Sequence, residues 1–302
     1  MLPYPRRDWI HMLVSPRGSF SPGVLRRVLA FGVIAAVTWV VHRCWSRFNL
    51  AVGPYEVGGA VIALILAFRT NTAYARFWEG RTLWGSIVNS SRNLARIVAT
   101  HVRDDETTHS RGFAEWVVVF AHASRRSLRG ERDMPEIDRL IPPERFAALA
   151  ADAHPPLYAA RELSARLAGL ARAGALDPMM TAQAESEVIN LMNCLGGCER
   201  ILKTPTPLGY VLLLQRCLVL YLASLPLALV DSLGAATALV TMMVAYPALM
   251  IEAIGSELDN PFAHDPNDLP LTRICDTIER NLLGTSPQGL VMSSSDETTL
   301  ED

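Results

Sequence analysis

Four long apolar segments interrupt this chain, and they restrict its fold more than any other feature. They cover residues 28–41, 48–68, 208–230 and 233–251. A helix needs about 20 apolar residues to cross roughly 30 Å of hydrocarbon. The first segment reaches that length if it starts at Pro22, because Arg26 and Arg27 can extend their charged ends to the headgroups. The third and fourth are separated by Asp231-Ser232 alone, which predicts a tight helical hairpin. We therefore predict four transmembrane helices.

The intervening residues 69–207 have the character of soluble helices. The chain carries 19% charged residues, against about a quarter in a typical soluble domain, and this deficit comes from the apolar segments. Between them, apolar residues recur at spacings of three and four, as in Leu83, Ile87, Leu94 and Val98, which is typical of amphipathic helices. The predicted fold is therefore an all-α integral membrane protein with four transmembrane helices and a large cytosolic helical region.

Lysine and arginine set the expected orientation in the membrane. Basic residues flank the first helix at its start, the second at its end and the third at its start: Arg6, Arg7, Arg17, Arg26, Arg27, Arg69, Arg76, Arg81 and Lys203. The loop after the first helix holds just Arg43 and Arg47. The positive-inside rule then predicts that both termini and the middle region are cytoplasmic, in a multi-pass protein of the inner cell membrane.

These patterns divide the chain into six parts. The divisions are a cytosolic N-terminal segment 1–21, transmembrane helices 22–68, a cytosolic helical region 69–207, transmembrane helices 208–252, a cytosolic acidic segment with a helix 253–284, and a disordered tail 285–302.

No catalytic or cofactor motif is present in the sequence. The seven histidines do not cluster, and there is no Walker loop, GxGxxG, HExxH or GxSxG motif. Cys194 and Cys198 lie one helical turn apart, which suits two small residues on a helix face better than a shared metal. A net charge of −2 leaves no basic footprint for nucleic acid. We expect a non-enzymatic protein that requires no cofactor and binds no nucleic acid.

The second apolar segment has a face on which Ala60, Leu64 and Phe68 recur every four residues. They share one side of a helix and rise about 6 Å per step. Copies arranged around an axis would stack them into apolar rings, and such rings gate by dewetting. Spacing alone favours a lipid-facing or packed stripe, because every transmembrane helix has such faces.

Three motifs change that balance, because together they resemble the bestrophin family, and in particular its bacterial members. They are FRTNTAYARFWEGR at residues 68–81 with Trp84-Gly85, CERI at 198–201 with TPTP at 204–207, and ELDNPFAHDPNDLPL at 257–271. They are long and lie in order, so the resemblance extends over about residues 20–284. It implies a homopentamer with one axial pore that passes inorganic ions and is lined in the bilayer by the second helix.

The resemblance also assigns positions along that pore. The family's neck falls on Ala60, Leu64 and Phe68, and its cytosolic constriction on Met179. Ala60 replaces a larger aliphatic residue, so the outer ring should be wider and closure should depend on Leu64 and Phe68.

The sign of the ion is not settled by the sequence. Eukaryotic members are anion channels, whereas bacterial homologues can pass cations. Arg69 and Arg76 at the inner mouth would favour anions, and Glu56 at the outer mouth would favour cations, if they face the axis.

The acidic segment has two interpretations. In eukaryotic relatives it forms a Ca²⁺ clasp, and Glu257, Asn260, Asp265 and Asp268 offer the oxygen ligands that Ca²⁺ prefers. Here Glu257 replaces a neutral amide and Ala263 a glycine. A structural loop that caps the next helix, with Asp268 near its start, is the favoured interpretation.

Arg216 lies about 12 Å into the third helix, and we expect it to pair with Glu252 rather than to line the permeation path. Two other functions stay open. A secondary transporter would show inverted repeats and broken helices, and the sequence has no repeat between the helix pairs. A membrane scaffold could bind a partner through the basic stretch containing Arg125, Arg126, Arg129 and Arg132, although a charged, solvated helix face is the favoured interpretation of that stretch.

Overall fold

The computed structural model describes residues 22–45, 50–103 and 107–284, except for the side chains of 107–109. Within these ranges the chain is helical and contains no strand, which confirms the predicted all-α class. The helices are α1 (Pro22–Cys44), α2 (Gly53–His101), α3 (Thr107–Arg129), α4 (Pro135–Asp138), α5 (Pro143–Ala151), α6 (Pro155–Arg172), α7 (Pro178–Lys203), α8 (Leu208–Leu233), α9 (Thr237–Leu258) and α10 (Leu271–Leu283). The segments predicted at 1–21 and 285–302 lie outside the described residues.

Three stretches are long and apolar enough to cross a membrane: Pro22–Cys44, Gly53–His101 and Leu208–Leu258. The last stretch consists of α8 and α9, so four apolar helices are present, as predicted. The prediction placed the junction of α8 and α9 at Asp231-Ser232, but both residues belong to the last turn of α8. The break comes at Gly234, whose φ of 52° suits glycine, and a 3-10 turn Gly234–Ala236 follows it.

The chain divides into two compact units. Among the described residues, the first, which we call the membrane unit, consists of 22–78 and 204–268. The second, the bundle unit, consists of 79–203 and 269–284. The division at Trp78 falls within α2, ten residues after the boundary expected at 68. The acidic loop before Asp268 belongs to the membrane unit, although the sequence division grouped it with the following helix.

In the membrane unit α1 packs against α8 and α9. Its buried side chains Val24, Val28 and Phe31 join a core with Leu218, Leu222, Ala245 and Leu249. The contact with α9 is close at Gly32, where an added Cβ would lie 2.6 Å from the Met242 sulfur. The opposite face of α1, with Leu29 and Val33, is exposed and apolar.

In the bundle unit α3 is the central helix, and it packs against α6 and α10. Its buried aromatic residues are Phe113, Trp116 and Phe120. The basic stretch considered as a partner-binding surface belongs to this unit. Arg125 is 2% exposed, and Arg125 and Arg126 both hydrogen-bond to Glu136, at 2.8 and 2.6 Å. Arg126 also pairs with Glu131. The exposed basic surface expected for a scaffold is therefore wrong for these two arginines, because Glu131 and Glu136 balance their charges.

The buried carboxylate of Glu279 has partners within the bundle unit. The Glu279 carboxylate lies 3.4 Å from His122 Nε2 and accepts a hydrogen bond from Arg139 at 2.7 Å. Burial raises the pKa of the Cys198 thiol to about 12, so this residue is neutral and chemically inert. Among the described residues no group of three or more His, Cys, Asp or Glu side chains could hold a metal ion.

Candidate pore helix and its surroundings

The membrane-unit part of α2 presents an exposed apolar stripe. Leu64 and Phe68 are 56% and 58% exposed, and Ala60 is exposed one turn before them. Val57 and Val61 extend the same side of the helix. The three predicted neck residues therefore share one face that no other part of the membrane unit covers. Apolar side chains at this depth need an acyl chain, another helix or a narrow pore as their surroundings.

The opposite side of α2 is packed. Leu66, Arg69, Ala73 and Phe77 are all less than 8% exposed and follow the three-four spacing of one helix face. Two tyrosines of α8 reach this side and donate hydrogen bonds to backbone carbonyls of α2. Tyr210 Oη lies 3.4 Å from the Ile65 oxygen, and Tyr221 Oη lies 3.4 Å from the Tyr55 oxygen. The helix therefore has a fixed rotation, with the stripe turned away from α8.

Close approach between α2 and α8 depends on Gly59. An added Cβ at this position would lie 2.7 Å from the Tyr221 hydroxyl and 3.4 Å from its ring carbon. Gly58 faces the same ring at 3.8 Å. Adjacent small residues are a recognised device for close helix packing in membranes. The Gly58-Gly59 pair is the signal in the sequence from which this contact could have been predicted.

Two turns beyond the inner end of the stripe, Arg76 joins α2 to neighbouring segments of the membrane unit. Its Nε lies 3.1 Å from Asp259 Oδ1, and its Nη1 donates to the Thr204 carbonyl at 2.7 Å. Asp259 also accepts a hydrogen bond from Thr206 at 2.6 Å. Arg76 and Asp259 belong to two of the three family motifs, and Thr204 and Thr206 to the third. These motif residues therefore form one cluster that ties α2 to the start of α8 and the end of α9.

The three charges considered for ion selectivity have different surroundings. Glu56 is exposed in the first turn of α2. Arg69 is only 4% exposed, and its Nε lies 3.7 Å from where a Cβ on Gly255 would stand. Arg76 is paired with Asp259. Within one subunit, Glu56 is the charge of the three that is freely available to a passing ion.

Met179 lies at the start of α7, where its N–H donates to Asp177 Oδ1 at 2.8 Å. Its side chain is 74% exposed. Apart from Ile189, it is the one strongly exposed large apolar residue in the described part of the bundle unit. An apolar side chain held outward at a helix start is compatible with a narrow passage between copies.

Three of the four candidate Ca²⁺ ligands use a side-chain oxygen within their own loop, and Asp265 takes part through its backbone N–H. Asp268 Oδ2 accepts from the Asp265 N–H at 2.7 Å, and Asn260 Oδ1 lies 3.4 Å from the Phe262 N–H. Glu257 accepts from the Asn267 amide at 2.7 Å. These contacts are turn and capping interactions. Since no cluster of metal ligands is present in the described residues, the donor set does not fit a Ca²⁺ site within a single chain.

The expected ion pair between Arg216 and Glu252 is wrong. Glu252 is 4% exposed; it accepts a hydrogen bond from Gln215 at 2.9 Å and lies 3.6 Å from Arg27. Arg216 is exposed instead. One residue turns a helix by about 100°, so the side of α8 from which Gln215 reaches Glu252 is not the side that carries Arg216. Neither Arg27 nor Gln215 was predicted as a partner of Glu252. The sequence does not show that α1 and α8 both pack against α9.

Four apolar helices, one of which exposes an apolar stripe beside a fixed polar anchor, define a polytopic membrane protein of the pore-forming type. The model of the bacterial/fungal bestrophin protein family matches residues 1–284. The chain therefore belongs to this family, which confirms the resemblance found in the sequence.

Named relatives match over nearly their whole length. A voltage-dependent anion channel-forming protein of Nostoc sp. is 37% identical over 282 residues, which cover 92% of this chain and 91% of the relative. A protein of the same description from Escherichia coli is 32% identical over 288 residues, which cover 94% of this chain and 93% of the relative. Among solved structures, a bacterial bestrophin homologue from Klebsiella pneumoniae is 31% identical with a TM-score of 0.82, over 86% of this chain and 98% of that one.

Proposed function

We propose that this protein is an ion channel in which copies of the chain, five by resemblance to the family, surround one axial pore in the inner cell membrane. The observation that carries the proposal is the exposed apolar stripe of α2, which contains all three neck positions while the other side of the helix is packed. Relatives named as channel-forming proteins support conduction as the activity. Membership of the bestrophin family argues against an enzyme.

The stripe supplies the gate. Rings of Leu64 and Phe68 would make a tube that holds no stable column of water until it widens. Ala60 would leave the outer ring wider. Passive flow through such a tube requires no cofactor. Met179 would form a second apolar constriction on the cytoplasmic side, and the distribution of lysine and arginine places both termini there.

Anions are the first candidate for the permeating ion, because the relatives are named as anion channel-forming proteins. Monovalent cations are the second candidate, and a specific observation favours them. Glu56 is exposed, whereas Arg69 is buried and Arg76 is paired with Asp259. Apolar neck rings carry no fixed charge, so charges at the mouths must decide the sign.

Purified protein in planar bilayers under a NaCl gradient tests both the activity and the sign of the ion. A reversal potential near the chloride equilibrium potential identifies anions, and one near the sodium potential identifies cations. Changing Glu56→Gln should shift the reversal potential towards chloride if this residue faces the axis. Absence of any current would contradict the proposed channel.

Ca²⁺ is proposed to have no gating role, because the acidic loop already caps itself. Open probability should be the same in a chelator and in saturating Ca²⁺, and Asp265→Asn should not change that comparison. A Ca²⁺-dependent open probability that Asp265→Asn abolishes would instead establish a clasp formed between chains.

The two alternative functions have less support. Transporters use discontinuous helices with polar groups near the midplane, whereas α1, α8 and α9 are each continuous, although α8 and α9 contain Pro226 and Pro247. A scaffold would use an exposed basic stretch, and Arg125 and Arg126 are occupied by Glu136.

A further inference from the structure

A cavity of 460 Å³ lies among α1, α8 and α9 of the membrane unit, away from the stripe of α2. Its walls along most of its length are apolar: Ala30, Phe31, Ile34, Leu218, Val219 and Leu249. Ala30, Ile34 and Val219 are exposed, so this side of the cavity is open in the single chain. The volume falls in the range of ordinary ligand sites, about 300–1,000 Å³.

One end of the cavity is polar and carries both signs of charge. Arg27, Gln215 and Glu252 line it. The Glu252 side chain is 5% exposed and the Arg27 side chain 60% exposed, at a separation of 3.6 Å. This distance is long for an ion pair with direct hydrogen bonds. A guanidinium has five N–H donors, so the contact with Glu252 leaves most of those of Arg27 for another acceptor.

A buried carboxylate in this position is costly unless its charge is balanced. Gln215 satisfies one oxygen of Glu252 at 2.9 Å, but it supplies no charge. The exposed Arg27 supplies only partial compensation at 3.6 Å. An additional cation beside Glu252, together with an anion beside Arg27, would complete the neutralisation of both groups.

We propose that this cavity binds one membrane phospholipid with a primary ammonium headgroup, of the phosphatidylethanolamine class. The phosphate accepts hydrogen bonds from Arg27, since a guanidinium donates to phosphate in a bidentate manner. The ammonium donates to Glu252. One acyl chain occupies the apolar length of the cavity beside Phe31 and Leu218. Arg27 lies near the start of α1, where the predicted orientation places the cytoplasmic headgroup layer.

The pairing of charges predicts which lipid binds. Phosphatidylglycerol has the same phosphate but no ammonium, so it leaves Glu252 uncompensated. An acyl chain alone would fill the apolar wall and ignore both charged groups. The site therefore distinguishes a zwitterionic headgroup from an anionic one. An apolar groove without charged residues would not.

Native mass spectrometry of the full-length protein, with phosphatidylethanolamine or phosphatidylglycerol added in detergent, tests the proposal. The wild type should bind phosphatidylethanolamine about tenfold more tightly than phosphatidylglycerol, the effect of one charge-assisted hydrogen bond. Arg27→Gln should lower phosphatidylethanolamine affinity by a similar factor. Arg26→Gln is the matched control, because Arg26 is exposed one residue earlier and, among the described residues, its hydrogen bond is to the Pro22 carbonyl of its own helix. It should leave affinity unchanged.

Two further variants keep the test decisive if Arg27→Gln does not fold. Glu252→Gln retains a polar group but removes the charge, so it should erase the preference between the two lipids. Ala30→Trp fills the cavity and should reduce binding of both. Equal affinity of the wild type for both lipids, or equal effects of Arg26→Gln and Arg27→Gln, would overturn the proposal. So would dissociation of the assembly by Ala30→Trp, because the cavity would then be a contact between copies.

Discussion

The membrane unit and the bundle unit distribute their apolar residues in opposite ways. All large apolar side chains that are exposed in the described structure, except Met179 and Ile189, belong to the membrane unit. The bundle unit instead buries its aromatic residues and neutralises its internal charges. The bundle unit thus buries its apolar side chains, as a domain in water does. The membrane unit exposes many of them, so its surface must meet lipid, a pore or another copy of the chain.

The comparison also applies to polar groups. Buried charges in the bundle unit, such as Arg125 and Glu279, have partners from the same unit. In the membrane unit, the buried Glu252 accepts a hydrogen bond from the neutral Gln215, and its charged partner Arg27 lies 3.6 Å away with a side chain that is 60% exposed. Buried side-chain nitrogens without a hydrogen-bond partner occur in both units, as in Arg69 Nε and Arg125 Nε. Buried charged groups at membrane depth mark functional sites by default. Glu252 is therefore the group in the membrane unit beside which we expect an additional ion, lipid or subunit.

The largest expected difference between the units is the cost of truncating a leucine. Leu163 is fully buried in the bundle unit, and Leu163→Ala should destabilise the protein by about 2–5 kcal/mol. Leu29→Ala, at a residue 52% exposed on α1, should leave the thermal midpoint in detergent nearly unchanged. Equal losses would show that both units bury their leucines alike.

A smaller effect is expected where α2 meets α8. Gly59→Ala places a methyl group 2.7 Å from the Tyr221 hydroxyl, and overpacking of this kind costs about 1–3 kcal/mol. Tyr221→Phe removes the clashing oxygen, so the double variant should recover much of the loss. Gly53→Ala on the same helix is the control, because nothing lies within 4 Å of its added Cβ. A thermal midpoint unaffected by Gly59→Ala would argue against the close contact.

The smallest effect concerns pH and the bundle unit. Burial alone would raise the pKa of Glu136, but hydrogen bonds from Arg125 and Arg126 hold it at about 2. The folded pKa lies below the ordinary value of 4.5, so the stabilisation is present above that value and is lost as pH falls towards 2. Glu136→Gln should cost about 1 kcal/mol at pH 7, and the difference from wild type should shrink between pH 4.5 and 2. A constant difference across this range would contradict the pairing.

The sequence predicted the helices well, because their signals are local. Apolar length identified the membrane helices, and three-four periodicity identified the bundle. The assignment of Ala60, Leu64 and Phe68 to a pore neck stays a prediction, and it came from the family motifs because their spacing is common to any such helix.

Apart from the junction of α8 and α9, the failures concern the pairing of side chains. Arg216 and Glu252 were paired from their positions along two adjacent helices, yet Glu252 lies against Gln215 of α8 and Arg27 of α1. The basic stretch containing Arg125 was expected at the surface because charge usually indicates exposure, and Glu136 from the next helix reversed that expectation. The rotation of each helix about its axis, and the choice of helices that pack against it, depend on the whole fold. The sequence of one segment is therefore not enough to predict them.

The central claim is that copies of α2 turn Leu64 and Phe68 towards a shared aqueous path. Single-channel recording of Leu64→Ala with Phe68→Ala tests this most directly, with Leu213→Ala as a control at an equally exposed leucine of α8. The account predicts a higher conductance for the double variant and an unchanged conductance for the control. Wild-type conductance in the double variant, or the same increase from Leu213→Ala, would contradict it.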